Sequence, residues 1–419
     1  MTDTRHLLYV TEFFAPDLCA TAVVATDHLA HLAARRPDWQ FTVLTGNRAW
    51  HDPTIVYPAR ERIGRVDVIR VARPSLHSRS LLDRARGFAV FYSRALAAAH
   101  DLGRFDLVIG STAPPLGGRI ARKLAKRIGC PYLYKVYDLY PDTAVALGRL
   151  GEHSLITKVW LRDDSRTMRD ADAVVCIARG IEDRLRRTRG LISPKLLTIH
   201  DGYDPARIAR RHVKPHEEQT PSVPGFTTGR PLIVQYAGNM GLSHPFGTIL
   251  DAAKRLATDA RIRFQFIGAG PARGELAAGL PPSAELLPFQ PDDRFADRMH
   301  DADICLVTQH TNLFDHALPY KVYAILAAGK PLIFVGNPRS EIADWLQSAE
   351  CGLTIPQGDG PALADAIKTL YSDPSRRTAM GRRARALFDE RFHVNAATGK
   401  WVTLINDVLN RPRKPAGSQ

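Results

Sequence analysis

The stretch TQHTNLFDHALPYKVYAILAAGKPLIFV, residues 308–335, decides how the fold of this chain is interpreted. An apolar run at 304–307 predicts a strand that ends in a polar loop, and Leu332–Val335 predicts a second buried strand. Between them, Pro319 and Gly329 mark the ends of a predicted helix over 320–328. That helix would begin beyond the carboxyl end of a strand and carry Lys321 in its first turn, where backbone N–H groups and a cation can hold a phosphate. An ordinary βαβ unit explains the same residues.

The same alternation of strands and helices extends along the whole chain. Strands are predicted at 6–10, 40–47, 106–112, 130–138, 171–178 and 195–204, and again at 232–239, 263–270, 284–289, 303–308, 332–335 and 351–355. Residues 374–410 predict two amphipathic helices, and the polar stretch 205–230, rich in Pro and Thr, predicts a linker. The fold class is therefore α/β, with two Rossmann-like, doubly wound parallel-sheet domains at 1–204 and 231–391 and a final helical segment at 392–419.

Length and composition agree with two globular domains. At 419 residues the chain exceeds what one hydrophobic core usually supports. The five cysteines are scattered without a CxxC pair, and the first strand begins too early and is too short for a signal peptide, so we expect a cytoplasmic protein. A net charge of +14 indicates an anionic partner, which phosphates, an anionic membrane surface or nucleic acid would satisfy.

Two glycine-containing segments follow predicted strands of the second half. YAGNMGLSHP (236–245) and FIGAGP (266–271) supply Gly238, Asn239, Gly241, Gly268 and Gly270. Glycine permits close backbone approach to a ligand and positive φ. Two facing α/β halves would enclose a cleft between the carboxyl ends of their strands, where ligands of open sheets bind. These segments are therefore candidate phosphate-binding loops, although GAGP is not the full GxGxxG pattern.

The order of these motifs resembles the retaining GT-B glycosyltransferases often called family 4. The matching pieces of the second half are YAGNMG, FQFIGAGP, LLPF, DADICLVT, LPYKVYAILAAGKPLI and MGRRARALFDERF. In the first half, YDLYPDTAVALG (137–148) and IHDGYD (199–204) are similar to bacterial enzymes of colanic-acid and O-antigen assembly. The resemblance covers nearly the whole chain.

The resemblance implies transfer of a sugar from a nucleotide diphosphate sugar to an acceptor, with retention of configuration. The acceptor would be a glycan, a lipid-linked sugar or a small molecule. The second domain would hold the nucleotide, the first would bind the acceptor, and the last helix would return to the first domain. No cofactor and no metal are expected, and Asp301-Ala302-Asp303, which looks like a metal-binding DxD, stands at a helix-to-strand junction where solvated acids are common. The donor-binding residues implied are Gly238, Asn239, Gly241, Gly268, Gly270, Phe289, Pro319, Lys321 and Tyr323.

The sequence departs from the family at two carboxylates. Members commonly have two glutamates eight residues apart around the start of this helix, whereas His316 and Ala324 occupy those positions. Asp315, one position before His316, is a candidate replacement for the first glutamate. Asp315 and His316 are therefore the expected residues near the sugar and, with Asp138, the predicted catalytic residues. The family often has Arg and Lys after the first strand of the donor domain. Asn239 and His244 stand near those places in this chain, so Lys321 is the expected diphosphate contact.

The candidate acceptor side lies in the first half. Asp138 ends a predicted strand, where a carboxylate can orient or deprotonate an acceptor hydroxyl; an N-cap or loop acid is the plain alternative. Glu12 and Asp17, in the loop after the first strand, are further acceptor-side candidates. Tyr137 and Tyr203 join them through the two motifs that carry the resemblance.

A basic stretch at 58–104 has two interpretations. Within it, SRSLLDRARGFAVFYSRAL (78–96) mixes apolar residues and arginines at helical spacing. The first interpretation is a helix that packs its apolar side on the sheet. The second adds a basic rim that rests on an anionic bilayer, where a lipid-diphosphate acceptor would be presented, which predicts a peripheral location on the inner face of the membrane.

Three rival functions remain at the level of the sequence. A degenerate, non-catalytic nucleotide-sugar-binding protein of the same fold is suggested by His316 and Ala324. A Rossmann-type oxidoreductase or epimerase is suggested by GAGP, but no acidic residue ends the following strand and no Tyr-xxx-Lys pair is found on a first-half helix. Nucleic-acid binding would rest on charge alone, without a recognised module, and is not expected.

Overall fold

The chain folds into two compact units. A computed structural model describes residues 4–50, 52–73, 81–98, 102–209, 230–290 and 292–412. Unit 1 comprises 1–201, 316–318 and 394–419, and unit 2 comprises 202–315 and 319–393. The predicted linker at 205–230 lies largely outside the described residues.

Unit 1 is built on a sheet of eight strands within the described residues, in the order β3-β4-β2-β1-β5-β6-β7-β8. The strands are β1 (Arg5–Val10), β2 (Trp39–Gly46), β3 (Arg60–Ile63), β4 (Val66–Val71), β5 (Leu107–Ser111), β6 (Tyr132–Val136), β7 (Ala173–Cys176) and β8 (Leu196–Thr198). All neighbours pair in parallel except β3, which runs antiparallel to β4 at the edge. The sequence did not predict this hairpin, because exposed arginines interrupt the apolar pattern of β3.

The helices of unit 1 cover both faces of its sheet, as the connection rules for parallel strands require. They are α1 (Ala20–Arg35), α2 (Leu81–Ala98), α3 (Gly117–Ile128), α4 (Asp142–Ala146), α5 (Leu155–Asp170) and α6 (Arg179–Arg189). The order of strands reverses between the adjacent strands β1 and β5. The loops that follow these two strands therefore flank the switch point of the sheet, the usual ligand position in open α/β folds.

Unit 2 is a fully parallel sheet of six strands, in the order β11-β10-β9-β12-β13-β14, within the part of the chain that is described. Its strands are β9 (Leu232–Ala237), β10 (Ile262–Ile267), β11 (Glu285–Leu287), β12 (Ile304–Thr308), β13 (Leu332–Val335) and β14 (Gly352–Ile355). Its helices are α7 (Gly247–Arg255), α8 (Arg273–Gly279), α9 (Asp292–Asp301), α10 (Lys321–Ala327), α11 (Glu341–Ser348), α12 (Gly360–Ser372) and α13 (Pro374–Arg391). Its switch point falls between β9 and β12.

The stretch that decided the interpretation forms β12, α10 and β13. Helix α10 begins two residues after Pro319 and ends before Gly329, whose φ of 63° closes it in the left-handed conformation. Six of its seven residues are buried. The predicted strand, helix and strand are therefore confirmed, and the loop between β12 and α10 lies at the switch point of unit 2.

The last helix, α14 (Val394–Leu409), belongs to unit 1. It packs against α1, where the Trp401 and His28 rings lie 4.8 Å apart and Arg36 donates to the Asn406 side chain at 2.6 Å. Trp401 is buried in the core that also contains Leu29 and Leu32. The C-terminal segment thus completes the hydrophobic core of the first unit although it follows the second in the sequence.

None of the helices in the described ranges is both long and apolar enough to cross a bilayer.

Replacement of Trp401 by alanine tests the contribution of α14 to unit 1. Removal of this buried indole leaves a cavity against His28 and should lower the free energy of unfolding by about 3–5 kcal/mol. Denaturant unfolding measures the change, with Asp407→Ala on the exposed face of the same helix as a control expected to stay within about 0.5 kcal/mol. Equal stability of the two variants would show that α14 does not support the core.

Candidate functional site

Two glycine loops of unit 2 cross at backbone contact distance beyond the carboxyl ends of β9 and β10. Gly238 donates its N–H to the Ile267 carbonyl at 2.9 Å, and Met240 donates to the Ala269 carbonyl at 2.8 Å. A Cβ on Gly268, whose φ is 141°, would stand 2.0 Å from the Gly238 carbonyl oxygen. No side chain can occupy that position, so glycine is required for the two loops to meet.

The second glycine of the β10 loop makes room for Asn239. A Cβ on Gly270 would lie 2.7 Å from the Asn239 side-chain oxygen and 2.5 Å from the Met240 carbonyl. Asn239 itself is exposed, while Gly241 beside it is buried. The structure therefore brings Gly238, Asn239, Gly241, Gly268 and Gly270 into one group, with an exposed amide side chain above a floor of backbone.

Lys321, the first residue of α10, extends over this floor. Its ammonium donates to the Tyr236 hydroxyl, reaches the Asn239 carbonyl at 3.4 Å and lies 3.9 Å from the centre of the Tyr236 ring. A Cβ on Gly238 would come within 3.2 Å of the Lys321 side chain. Desolvation by the surrounding protein lowers the pKa of Lys321 to about 7, and no carboxylate among the described residues pairs with it. An anion at this point would supply the missing counter-charge.

His244 is the neutral neighbour of this lysine. Its Nδ1–H donates to the Thr308 carbonyl at 2.7 Å, which assigns the proton to Nδ1 because a carbonyl can only accept. Burial first, and the Lys321 charge second, lower the pKa of His244 to about 3. The histidine therefore carries no charge near neutral pH, and the positive charge of this crevice resides on Lys321.

Three predicted donor-binding residues, and Asp315, which is predicted near the sugar, occupy different environments in unit 2. Pro319 is buried next to the first turn, and Asp315 is buried in the loop before it. Phe289 is exposed two residues beyond the carboxyl end of β11. Tyr323 is buried among aromatic rings, 5.3 Å from Phe392 and 6.2 Å from Trp345, so its position is that of a core residue. This burial corrects the expectation of a donor contact, because Tyr323 presents almost no surface to a ligand.

Asp138 lies beyond the carboxyl end of β6 in unit 1. Its backbone N–H donates to the Thr112 hydroxyl at 3.3 Å, and that of Tyr137 donates to the same oxygen at 3.0 Å. The residue is exposed to solvent, yet surrounding protein atoms desolvate its carboxyl and raise its pKa to about 6. Thr112, in the loop after β5, thus fixes the backbone that carries this carboxylate.

Residues 316–318 belong to unit 1 although they interrupt unit 2 in the sequence. The Leu139 N–H donates to the His316 carbonyl at 2.9 Å, and Asp138 pairs with Ala317 in an isolated antiparallel bridge. His316 is buried there. Two of the three residues predicted to be catalytic, Asp138 and His316, are therefore brought together, while Asp315 is counted with unit 2.

Tyr137 belongs to a buried polar network beneath this segment. Its hydroxyl lies 3.1 Å from that of Tyr9, and the Lys135 ammonium lies 4.6 Å from its ring centre. Lys135 forms an ion pair with Asp201 at 2.5 Å, and both side chains are almost fully buried. Such a network holds the backbone before Asp138 in place, which is a supporting rather than a ligand-contacting position for Tyr137.

The two acids of the β1 loop are tied to the protein itself. Glu12 pairs with Arg73 at 3.0 Å, and burial, opposed by Arg73, raises the pKa of its carboxyl. Asp17 accepts from the backbone N–H groups of Leu18 at 2.9 Å and Trp50 at 2.8 Å. Both residues are buried, so their visible role is to shape the loop at the switch point of unit 1.

Tyr203 lies in unit 2 rather than in the first domain. Its N–H donates to the Phe392 carbonyl at 2.9 Å, and its ring lies 5.8 Å from that of Tyr320. The chain leaves unit 1 after Asp201, three residues earlier than the predicted end of the first domain at residue 204. The acceptor-side expectation for Tyr203 is therefore corrected: the side chain packs at the start of α10.

One of the two acids in Asp301-Ala302-Asp303 forms structural contacts. Asp303 forms a two-point ion pair with Arg230, at 2.8 and 2.9 Å, and accepts from the Ile233 N–H at 2.8 Å. Within the described residues, no three His, Cys, Asp or Glu side chains are grouped closely enough to hold a metal ion.

The sequence did not indicate three contacts in the two candidate sites. They are those of Tyr236 and His244 near Lys321, and that of Thr112 with the backbone at Asp138. Tyr236 and Lys321 are 85 positions apart, and Thr112 and Asp138 are 26 apart. His244 was noted only as a substitute for a basic residue of the resembled family. Only the strand order, which places β12 beside β9 and β6 beside β5, reveals these pairs.

Comparison with known protein families gives a glycosyltransferase match for each half of the chain. Residues 231–373 match the family described as "Glycosyl transferases group 1", and residues 20–202 match the "Glycosyl transferase 4-like domain". The curated protein WbjE of Pseudomonas aeruginosa, described as a probable glycosyltransferase, is 23% identical over 317 residues, which cover 74% of this chain and 76% of that protein.

Solved structures share the fold over almost the whole chain. Sucrose-phosphate synthase from Thermosynechococcus elongatus superimposes with a TM-score of 0.74 at 16% identity, covering 96% of this chain and 99% of that one. HepE of Anabaena, solved in complex with UDP-glucose, gives a TM-score of 0.65 at 14% identity, with the same coverage. At such identities these structures establish the architecture and no more.

Replacement of Gly268 by alanine tests the loop crossing. The added Cβ would collide with the Gly238 carbonyl and strain a backbone with φ of 141°, so the free energy of unfolding should fall by at least about 2 kcal/mol. Gly274→Ala is the matched control, since open space surrounds that position in α8 and alanine favours a helix, which predicts a change between zero and about 1 kcal/mol of stabilisation. Denaturant unfolding of both variants decides, and a Gly268→Ala protein as stable as the control would refute the close approach.

The raised pKa of Asp138 predicts a pH dependence of stability. A carboxyl with a pKa of about 6 in the folded protein and about 3.9 when unfolded binds its proton more tightly in the folded state. This group therefore adds stability below about pH 4, which is lost as the pH rises to about 6. Asp138→Asn abolishes the effect, so its stability relative to the unmodified protein should increase between pH 4 and 6 and then level off. Urea unfolding at several pH values measures the difference, and a difference that shrinks with pH would contradict the assignment.

Proposed function

We propose that this chain, which is a glycosyltransferase of the GT-B fold, moves a sugar from a nucleotide diphosphate sugar to a lipid-linked acceptor glycan with retention of configuration and without a metal ion. Unit 2 binds the donor and unit 1 binds the acceptor in this proposal. The two family matches support the activity, and the complex of HepE with UDP-glucose supports a uridine diphosphate sugar as the first donor to test.

One observation carries the proposal for the donor: Lys321 is a desolvated cation above a floor of glycine backbone at the switch point of a parallel sheet. Its contacts are the Tyr236 hydroxyl and ring and the Asn239 carbonyl, which leave its charge uncompensated. A diphosphate is the ligand that restores the balance, since charge-assisted hydrogen bonds to phosphate oxygens are strong and the glycines admit the group to backbone distance.

Lys321 also supplies the electrostatic part of catalysis. Cleavage of the bond between sugar and diphosphate develops negative charge on the leaving phosphate, and a preorganised cation stabilises that charge. With a pKa of about 7, the lysine becomes fully protonated when the diphosphate arrives, because an adjacent anion favours the charged form. Neutral His244 holds the loop without competing for the same phosphate.

Asp138 is the acceptor-side acid or base. Its pKa of about 6 lies close to neutral pH, where a carboxylate can orient or deprotonate an incoming hydroxyl. Thr112 and the bridge with Ala317 fix its backbone, so the carboxylate projects from a defined position. From the resemblance we retain the assignment of His316 and Asp315 to the sugar, although both side chains are buried in this structure.

Recognition of the nucleoside must differ from that of the resembled family. Ala324 is buried in α10 at the position where family members use a glutamate for ribose hydroxyls. Asn239, exposed above the glycine floor, and Phe289, exposed beyond β11, are the residues that we assign to the nucleoside. The amide can hydrogen-bond hydroxyls or a base edge, and the phenyl ring offers a stacking surface.

The location that follows is cytoplasmic, on the inner face of the membrane, where nucleotide sugars and a lipid-linked acceptor meet. The exposed arginines of the basic stretch at 58–104 were predicted to form a rim toward lipid. Arg70 and Arg73 are engaged with Glu61 and Glu12 and cannot belong to such a rim, whereas Arg60, Arg65, Arg86, Arg94 and Arg104 are exposed. Residues 74–80 and 99–101 of the stretch lie outside the described ranges.

Proton uptake on nucleotide binding tests the role of Lys321. At pH 8 a group with a pKa of about 7 is charged in about a tenth of the molecules, so binding of UDP should take up close to one proton. Titration calorimetry in two buffers of different ionisation enthalpy measures this number. Lys321→Met should bind UDP roughly 10–100-fold more weakly and without proton uptake, as expected for the loss of a charged hydrogen bond.

The matched control is Lys254→Met, which removes an exposed lysine from α7 in the same unit. It should leave both affinity and proton uptake unchanged. If Lys321→Met binds every nucleoside diphosphate as tightly as the control does, the donor site is not where we propose it. The same titration with ADP and GDP in place of UDP identifies the base.

A further inference from the structure

Three large aliphatic side chains stand exposed on the first two turns of α5 in unit 1. Leu155 is 76% exposed, Ile156 64% and Val159 59%. Their spacing of i, i+1 and i+4 places them on one side of the helix. Among exposed large apolar residues of the described chain, these three share one helix, and we call them the α5 apolar patch. An exposed apolar patch of this kind marks a surface that binds a protein or a membrane.

The patch is presented by an ordered helix end. The Ser154 hydroxyl caps α5 by accepting from the Thr157 N–H at 3.2 Å, and the Thr157 hydroxyl donates to the Gly151 carbonyl at 2.8 Å. Thr157 itself is buried, so the opposite side of the same turn is anchored in unit 1. The aliphatic side chains therefore project to solvent from a fixed backbone.

The charges around the patch are mainly positive. Lys158 and Arg162 are exposed along the same helix, whereas Arg166 pairs with Asp170 at 4.0 Å. In the segment before the helix, Arg149 and Glu152 are both exposed. The acids of α5 are engaged within the protein: Asp163 lies 3.6 Å from Arg119, Asp164 3.5 Å from Arg189 and Asp170 3.7 Å from Arg122. Apolar side chains flanked by uncompensated cations complement an anionic lipid surface, in which the aliphatic groups enter the acyl boundary and the cations meet phosphates.

An aromatic pair connects the patch to the acceptor-side carboxylate. Trp160, next to Val159, stacks on Tyr140 with ring centroids 5.9 Å apart and planes inclined by 10°. Tyr140 is two residues from Asp138, and the patch and Asp138 lie in the same connection between β6 and β7. Amphipathic aromatic rings of this kind favour the boundary between membrane and water.

We infer that the α5 apolar patch docks this protein on an anionic lipid bilayer, with Leu155, Ile156 and Val159 inserted and Lys158, Arg162 and Arg149 at the phosphate level. This inference deepens the proposed function and rests on it for the statement that the acceptor is lipid-linked. The docked patch brings the β6–β7 connection, and with it Asp138, to the membrane that carries such an acceptor. Basic residues interspersed among the aliphatic ones favour lipid over a second protein as the occupant.

Sedimentation with vesicles tests the inference on the full chain. Vesicles of phosphatidylcholine with about a third phosphatidylglycerol should bind the unmodified protein, whereas vesicles of phosphatidylcholine alone should bind it at least tenfold more weakly. The triple variant Leu155→Gln, Ile156→Gln, Val159→Gln keeps good helix formers at these positions but removes the apolar surface. It should lose at least tenfold in partition to the anionic vesicles.

Ile192→Gln is the matched control, because Ile192 is 71% exposed but lies after α6, away from α5 in the sequence. It should bind vesicles as the unmodified protein does. Unchanged vesicle binding by the triple variant, or no binding by the unmodified protein at low salt, would overturn the inference. A triple variant that changes only the oligomeric state, measured by light scattering, would overturn it in favour of self-association.

The outcome can be separated from that of the proposed function. Vesicle binding requires no donor, and calorimetric binding of UDP requires no lipid. A triple variant that binds UDP normally but not vesicles supports the patch and shows that the chain is folded. A protein that binds vesicles through the patch but binds no nucleotide would refute the proposed donor site and leave the docking surface standing.

Discussion

The close approach of Gly268 to the Gly238 carbonyl is the constraint on which the donor-side geometry depends. Because a Cβ at residue 268 would lie 2.0 Å from that oxygen, the loops after β9 and β10 can meet only through glycine. Their crossing forms the backbone floor, and the neighbouring strand β12 leads to the loop that returns as α10 with Lys321 at its start. The lysine is then held by Tyr236, whose ring and hydroxyl direct the ammonium over Gly238. A parallel sheet with its switch point between β9 and β12 thus brings three separate sequence segments together into one crevice, the proposed site of the donor diphosphate.

Much of the fold could be predicted from the sequence because its signals are local. The apolar runs of β12 and β13, with Pro319 and Gly329 between them, define a strand, helix and strand within 32 residues, and the same pattern repeats in both halves. The β3–β4 hairpin was missed because an edge strand with exposed arginines lacks a continuous apolar pattern. The glycines and Lys321 were found as candidates for the same reason: each follows or opens a regular element. Tyr236, Thr112 and the burial of Tyr323 were not predictable, because they depend on which strands are neighbours and on which face of α10 meets Trp345 and Phe392.

The two carboxylates that the resembled family would supply are replaced by a different arrangement. The segment 316–318 is counted with unit 1 and pairs with the backbone at Asp138 and Leu139. The His316 that stands in place of a glutamate is therefore fixed beside Asp138, the proposed acceptor-side carboxylate. Ala324, in place of the second, is buried and leaves hydroxyl recognition to other groups. Glu12 and Asp17 are acids in the loop at the switch point of unit 1, but their contacts are structural. Glu12 forms an ion pair with Arg73, and Asp17 accepts two backbone hydrogen bonds.

The central claim is that this site performs transfer chemistry on a nucleotide sugar rather than only binding it. Release of free nucleoside diphosphate from a panel of nucleotide sugars, measured with the purified chain and without acceptor, tests that claim most directly, since many transferases slowly hydrolyse their donor. We predict release from at least one uridine diphosphate sugar, abolished by Lys321→Met and retained by Lys254→Met. Tight nucleotide binding without release from any donor, in the presence or absence of acceptor lipids, would contradict it and identify the chain as a nucleotide-sugar-binding protein of the same fold.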